Sequence, residues 1–162
     1  MYSVKNIEHK SLNDKDLIMI CDIKSIFGDY SLSSQKNWMQ NNLKDSDIHF
    51  LLYKSDILVG YANLVHTILN INEKDINIIG VGNVCVSTKS HGFGQKLMLE
   101  VNEYIIKQAN IGLLFCKLEL RDFYTRLHWK SVKIDNINDV YSMILNQKST
   151  GVIHLKYNEE LF

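Results

Sequence analysis

The spacing of hydrophobic residues predicts a chain in which strands and helices follow one another. Apolar and polar residues alternate in Tyr2–Glu8, which predicts a short strand with one solvated face. Two apolar stretches, 48–53 and Ile57–Ile71, are joined by the short polar segment 54–56, which predicts a hairpin. Apolar runs predict four more strands over residues 76–86, 112–117, 140–145 and 151–157.

A period of three to four residues predicts the helices that connect these strands. After a cap at Asn13 or Asp14, apolar residues recur at helical spacing until Gly28 ends the pattern. The order β, α, α, β, β, β, α, β, α, β, β predicts an α/β (α+β) fold with a mixed sheet and one parallel β-α-β crossover. The remaining helical patterns cover residues 33–43, a long stretch after Ser87, and residues 119–127.

Composition and charge agree with a single domain, residues 1–162. Hydrophobic residues make up 46% and charged residues 22% of the chain, as in ordinary globular proteins. The net charge is zero and no basic stripe is present, so we expect no nucleic-acid partner. No apolar run approaches the ~20 residues of a membrane span and no secretory signal is visible, so we expect a cytoplasmic protein without a membrane partner.

The cysteines and histidines do not predict a metal site. Cys21, Cys85 and Cys116 are odd in number and widely spaced, which favours reduced, buried thiols over a disulfide framework or a tetrahedral zinc site. The histidines lack the helical i, i+4 spacing and the nearby carboxylate pattern that metal ligands often show. We therefore expect no metal ion.

The most informative segment is the passage from the strand 76–86 into the long helix. Gly92 and Gly94 lie where this helix should begin, and Lys96 adds a positive charge nearby. The first N–H groups of a helix have no partner inside it, so such a turn can bind phosphate oxygens. The alternative is an ordinary β-α turn that uses glycine only for its geometry.

A second segment makes the phosphate interpretation more specific. The sequence resembles the GCN5-related N-acetyltransferase superfamily at two motifs. The cofactor motif of that family, Gln or Arg, two residues, Gly, one residue, then Gly or Ala, resembles residues 89–94, with Lys89 in the first position. The second motif, an aromatic residue and Tyr followed by Leu-Gly-aromatic, resembles Phe123, Tyr124, Leu127 and Trp129, with His128 in place of the glycine.

The resemblance implies a mostly antiparallel central sheet that is flanked by helices and splayed between the strand ending at Val86 and the strand 112–117. It implies that acetyl-coenzyme A occupies this wedge as co-substrate and that Tyr124 donates a proton to the leaving thiolate. The alternative for Tyr124 is a core aromatic packed beside Phe123. The residues implied to bind the co-substrate are Val84, Cys85, Val86, Lys89, His91, Gly92, Phe93, Gly94, Gln95 and Lys96.

Departures from the family pattern affect the expected chemistry. Lys89 lacks the planar donor fork of arginine, and Lys117 stands where many relatives carry an asparagine. The strand before Val84 often supplies a glutamate that deprotonates the acceptor amine, yet residues 80–83 read Gly-Val-Gly-Asn. The acceptor amine would then have to lose its proton through a water relay or to another acid such as Asp29, or it would have to be neutral already. Cys85 as a covalent nucleophile is a weaker alternative because direct transfer needs none.

A narrower resemblance, to aminoglycoside 2'-N-acetyltransferases, suggests the acceptor. It places Asp29, Gly82, Glu160 and Phe162 at a site for a polycationic primary amine, although acidic residues near a chain end are usually just solvated. Peptide or protein N-terminal acetylation is the competing activity. A catalytically inactive acyl-coenzyme A-binding module is the alternative from another class. The expected partners are a small-molecule or peptide amine and, in a homodimer, a second copy of the chain.

Overall fold

The computed structural model describes residues 1–28, 31–148 and 153–162. Within these residues the fold is mixed α/β, with four α-helices and a mostly antiparallel sheet of eight strands. The helices are α1 (Asp14–Ser25), α2 (Leu32–Asn42), α3 (Phe93–Lys107) and α4 (Arg121–Thr125). The strands are β1 (Tyr2–Glu8), β2 (Ile48–Lys54), β3 (Ile57–Ile71), β4 (Lys74–Val86), β5 (Gly112–Cys116), β6 (Lys130–Val132), β7 (Tyr141–Leu145) and β8 (Leu155–Lys156).

The sheet has the order β1-β2-β3-β4-β5-β7-β6, and β8 pairs with β3. The parallel pair is β4 with β5, joined through α3, as the sequence predicts. This pairing covers only three positions and ends at Val81 and Leu114, whereas β4 continues to Val86 and β5 to Cys116. The ladder between the two strands is thus short, which agrees with the predicted splay.

The chain divides into two compact units. Unit 1 comprises residues 1–65 and 83–100, and unit 2 comprises residues 66–82 and 101–162. The prediction of a single domain stays a prediction.

The core of unit 1 forms where the first helix meets the first strands. Asn13 caps α1, because its side chain accepts a hydrogen bond from the backbone N–H of Asp16. The apolar stripe of α1, including Leu17 and Ile20, is buried as its periodicity predicts. Leu51 of β2 and Tyr61 of β3 belong to the same hydrophobic cluster.

The core of unit 2 forms on the other parts of β3 and β4 and on β5 and β7. Leu69, Ile78, Leu113 and Ile144 are buried together in one hydrophobic cluster. Phe162 packs against this cluster. The C-terminal segment is thus part of the packing of unit 2.

Several predicted boundaries were wrong. The strand predicted over 76–86 begins at Lys74, the strand predicted over 112–117 ends at Cys116, and β6 was not predicted. The helix predicted over 119–127 is a 3-10 turn at Leu118–Leu120 followed by the five-residue α4. Of the strand predicted over 151–157, the described part pairs only at β8, and residues 151 and 152 lie outside the described residues.

Candidate functional site

The turn between β4 and α3 in unit 1 has the geometry of an anion-binding loop. Gly92 adopts a φ of +73°, and no other atom lies within 4 Å of the position that a Cβ would take. Ser90 also has a positive φ, +66°. Left-handed residues next to a helix start turn successive N–H groups toward one concavity, where they bind anions. Glycine leaves the approach to the backbone open here, as the predicted binding of a phosphate group would require.

The side chains of this turn are arranged around the start of α3. Phe93 is buried and packs edge-on against Tyr2 of β1, with 6.5 Å between ring centroids, so its contribution to a ligand is limited to its backbone. His91 stacks on Phe93 and donates its Nδ1–H to the Lys89 carbonyl at 2.9 Å. Lys89 is exposed and its Nζ lies 5.9 Å from the Phe27 ring centroid. These contacts leave the exposed edge of the turn positively charged.

Lys96 is more constrained than its sequence position suggests. Its Nζ donates to Glu100 one helical turn later, at 2.5 Å. The same Nζ lies 6.0 Å from the Tyr2 ring centroid. Part of its charge is therefore neutralised within α3. Gln95 is exposed and Gly94 is half-buried beside it.

At the end of β4, the side chains of residues 84–86 differ in their burial. Val84 and Val86 are half-buried, whereas the side chain of Cys85 lies in the core of unit 1. Burial raises the pKa of the Cys85 thiol to about 12. The thiolate is the nucleophilic form of cysteine, so this geometry argues against the covalent alternative for Cys85.

Tyr124 lies in unit 2, on α4. It is 5% exposed and packs between Phe123 and Trp129, at centroid distances of 5.0 and 6.5 Å. Burial, and secondarily Cys116, raise the pKa of Tyr124 to about 12, so the phenol stays protonated at physiological pH. Its hydroxyl makes no hydrogen bond to a described residue. The ring of Tyr124 therefore packs beside Phe123, as one alternative predicted, while its hydroxyl remains a hydrogen-bond donor without an acceptor among the described residues.

Asn102 of α3 holds the turn that follows Tyr124, and no sequence motif pointed to this residue. Its Nδ2 donates to the Leu127 carbonyl and its Oδ1 accepts from Trp129 Nε1, both at 2.8 Å. His128, between these two residues, adopts a φ of +69°. The histidine thus takes the left-handed conformation for which the family motif uses glycine.

An open groove of about 470 Å³ lies at the C-terminal end of β5 in unit 2. Cys116, which raises the pKa of Tyr124, is part of its wall. The groove combines apolar and charged groups. Its lining residues are Phe115, Cys116, Lys117, Leu118, Asn138, Asp139, Val140 and Tyr141.

The predicted acceptor residues fall in different environments. Asp29 lies outside the described residues. Gly82 is buried on β4, and Glu160 is exposed, with its backbone carbonyl accepting the Tyr157 hydroxyl at 3.0 Å. The ring of Phe162 covers Gly80, where a Cβ would approach it to 2.3 Å. Phe162 is thus a packing residue of unit 2, and its role toward a substrate stays a prediction.

Sequence reasoning missed a row of polar side chains that crosses unit 1. His49 of β2 and Asn63 of β3 are cross-strand partners, and both are 0% exposed. His49 Nε2 pairs with His9 Nδ1 at 3.1 Å, and His49 Nδ1 pairs with the Tyr61 hydroxyl at 2.9 Å. Asn63 Oδ1 accepts from Asn83 Nδ2 at 2.8 Å. We call His9, His49, Tyr61, Asn63 and Asn83 the polar row.

The described residues include no group of three or more His, Cys, Asp or Glu side chains arranged to hold a metal ion. None of the helices in the described ranges is both long and apolar enough to cross a membrane.

Solved structures similar to this chain include proteins described as N-acyltransferases or acetyltransferases. A structure of ElaA from Escherichia coli superposes with a TM-score of 0.64 at 19% identity, covering 89% of this chain and 99% of that one. An acyl-CoA N-acyltransferase from Pseudomonas aeruginosa gives 0.65 at 14% identity, with the same two coverages, 89% and 99%. An acetyltransferase of the GNAT family from Staphylococcus aureus gives 0.62 at 14% identity, covering 88% and 98%. The chain has the GNAT fold.

Sequence comparison adds no assignment to this structural similarity. No protein-family model matches the sequence, and a search of curated proteins finds no significant match. Two of the three similar structures are described by an acyl-transfer activity, and none of the three descriptions names an aminoglycoside. At such identities the comparison shows a shared GNAT fold.

Proposed function

We propose that this protein is an acetyl-coenzyme A-dependent N-acetyltransferase that acts on a primary amine. The observation that carries the proposal is the turn at Gly92, with its positive φ and open approach, placed between β4 and α3 in a GNAT fold. A turn that served geometry alone would not need an unobstructed approach to the N–H groups that start the helix.

The residues of the chain divide the work of the transfer. The backbone of residues 91–96 binds the diphosphate of the co-substrate, and the charges of Lys89 and Lys96 add attraction. Backbone groups of Val84 and Val86 pair with the pantetheine arm as an added strand would. Tyr124 donates a hydrogen bond, or its proton, to the sulfur that leaves. Acetyl-coenzyme A supplies the activated acyl group.

The acceptor class is proposed more broadly than one compound. An aminoglycoside-like polyamine and a peptide N-terminus remain the two candidates, since both present a primary amine. The groove beside Cys116 contains the carboxylate of Asp139, which favours a cationic acceptor, and also Lys117, which disfavours a high positive charge nearby. The described part of the chain thus gives more support to a singly charged amine than to a polycation.

A thiol-release screen tests the proposal. Purified protein and acetyl-coenzyme A are incubated with aminoglycosides, polyamines and peptides with free N-termini, and free coenzyme A is measured with a thiol reagent. Amine-dependent release that disappears when the amine is already acetylated supports the proposal. Thermal stabilisation by acetyl-coenzyme A without turnover on any amine would favour the binding-module alternative. If acetyl-coenzyme A causes neither stabilisation nor turnover, both the enzyme proposal and the binding-module alternative are overturned.

A further inference from the structure

Acetylation of a protonated amine releases one proton, and residues 80–83 of β4 contain no carboxylate that could accept it from the amine. The ammonium first loses a proton, its nitrogen lone pair then forms the C–N bond, and the C–S bond breaks. A second proton leaves the nitrogen and ends on the thiol. The net product of the reaction is therefore the amide, coenzyme A and one proton in solvent.

Asn63 is the clearest unexplained group in unit 1. It is 0% exposed, and its Nδ2 has no hydrogen-bond partner among the described residues. Exchanging its nitrogen and oxygen does not solve the problem, because Asn83 can satisfy only the atom that faces it. A buried polar atom without a partner is destabilising, so such atoms usually bind an internal water.

Asn83 is hydrogen-bonded to Asn63, and His49 and Tyr61 are neighbours of Asn63 in the sheet. Asn83 precedes Val84, is half-buried and adopts a φ of +51°, so the polar row reaches the end of β4 at a break in its regular backbone. Tyr61 lies two residues from Asn63 on β3, so both side chains project from the same face of the strand. His49 lies directly opposite Asn63, which places their Cβ atoms about 4.5–5.5 Å apart.

From Tyr61 the row continues to solvent without a gap. The Tyr61 hydroxyl is hydrogen-bonded to His49, and His49 to His9, which is half-buried. Both histidines have one nitrogen that donates and one that accepts when neutral, so a proton entering at one ring nitrogen can release the proton at the other. The charged groups that act on His49 are Lys24 and Asp16 of α1, besides His9 itself.

We propose that Asn63 and Asn83 hold a buried water that takes the proton of the acceptor amine and passes it through Tyr61 and His49 to solvent at His9. This inference rests on the proposed function and assigns the deprotonation step for which residues 80–83 of β4 supply no carboxylate. In each hop the Tyr61 hydroxyl and the His49 ring accept one proton and give one up. Neither buried group retains a net charge after the transfer.

The pH dependence of kcat/KM separates this role from a structural one. Without the path, only the neutral amine reacts, so kcat/KM rises about tenfold per pH unit below the pKa of the amine. We expect Asn63→Leu to show this slope and to fall about 100-fold below wild type at pH 7, with the deficit closing near pH 9. Wild type is expected to have a shallower slope, because the path removes the proton fast enough that pH-independent binding of the protonated amine limits kcat/KM. Asn63→Asp, which supplies a carboxylate at the same place, is expected to recover most of the rate at pH 7.

Gln35→Leu is the matched control, because it removes another buried amide of unit 1, which binds Lys24 outside the polar row. It is expected to lower the melting temperature and leave the slope unchanged. Profiles of Asn63→Leu and wild type that run parallel would overturn the inference while leaving the proposed function intact. If the wild-type protein shows no turnover, both the inference and the proposed function are overturned.

A crystal structure of the wild-type protein provides a readout that is independent of activity. It is expected to show a water within about 2.7–3.2 Å of the side-chain nitrogen of Asn63. A dry site, or an Asn63 side chain that pairs wholly with protein atoms, would overturn the inference whatever the kinetics show.

Discussion

Tyr124 is a residue whose hydroxyl and ring have separable roles. The ring is held by Phe123 and Trp129, whereas the hydroxyl makes no hydrogen bond to a described residue. We therefore expect Tyr124→Phe to change the free energy of unfolding by less than about 0.5 kcal/mol. We expect it to lower kcat about 100-fold, with little change in the affinity for acetyl-coenzyme A.

Steady-state kinetics and isothermal calorimetry measure the two effects separately. Because burial and Cys116 raise the pKa of Tyr124 to about 12, its ionisation should not reduce the rate below about pH 11. Phe123→Leu is the matched control, since it changes the neighbouring ring and keeps the phenol. A Tyr124→Phe variant that loses affinity and kcat equally would remove the proton-donor role.

His49 makes a prediction about stability that does not depend on the proposed function. Burial, and next the neighbouring His9, lower the pKa of His49 from 6.5 to about 4 in the folded protein. Between these values the unfolded chain binds the proton and the folded chain does not. The stability due to neutral His49 is therefore complete above pH 6.5 and is lost as the pH falls toward 4, by up to about 1.4 kcal/mol per pH unit.

Urea unfolding at a series of pH values measures this loss. His49→Gln cannot titrate, so its stability should fall less steeply between pH 6.5 and pH 4 than that of wild type. His9→Gln keeps the buried imidazole and serves as the control, with the steep slope retained. Equal slopes for wild type and His49→Gln would show that His49 is not held neutral.

At the scale of elements, the C-terminal segment and β4 fit each other in unit 2. The Phe162 ring lies where a Cβ on Gly80 would be, with approaches of 2.3–2.7 Å. It also packs against Phe115 and Tyr157, at centroid distances of 5.2 and 5.9 Å. We expect Gly80→Ala to displace the ring and to destabilise the protein by about 1–3 kcal/mol.

A double-mutant cycle tests this fit. In a Phe162→Ala background the ring is gone, so the added methyl group of Gly80→Ala should cost much less than it does in wild type. The coupling free energy from urea unfolding is expected to be about 1 kcal/mol or more. Strict additivity of the two changes would mean that Phe162 does not cover Gly80 in solution.

The elements also show what the sequence could predict. The bounds of β1 and β3 match their predictions because the alternation and the polar turn act within a few residues. β6 was missed because three residues are too few for a period to be visible. The polar row was missed for another reason: His49 and Asn63 are 14 residues apart, and only the register of β2 against β3 places them opposite each other.

The same contrast holds for the candidate site. The turn at Gly92 was predicted because glycine, helix start and strand end are neighbours in the chain. The hydrogen bonds of Asn102 with Leu127 and Trp129 were not predicted, because these partners are 25 and 27 residues away in the sequence. The pairing of Lys96 with Glu100 follows the i, i+4 rule, yet the motif drew attention only to the charge of the lysine.

At the scale of the whole molecule, the prediction is that ligand binding and folding are linked through the turn at Gly92. A ligand that binds only the folded chain stabilises it by about 2.7 kcal/mol at 100 times its Kd. We expect acetyl-coenzyme A, at 100 times its Kd, to raise the free energy of unfolding of wild type by this amount. Gly92→Ala places a Cβ at φ +73°, which costs about 1–2 kcal/mol, and narrows the approach to the helix start.

The variant should therefore lose stability without ligand and also gain less from the ligand, since its Kd rises about tenfold or more. Ser90→Gly is the control in the same turn, because it relieves a positive φ of +66° and adds no atom. It should be stabilised by acetyl-coenzyme A as much as wild type. If Gly92→Ala were less stable but kept the full response to the ligand, the turn would serve the fold alone, and the diphosphate would have to bind elsewhere.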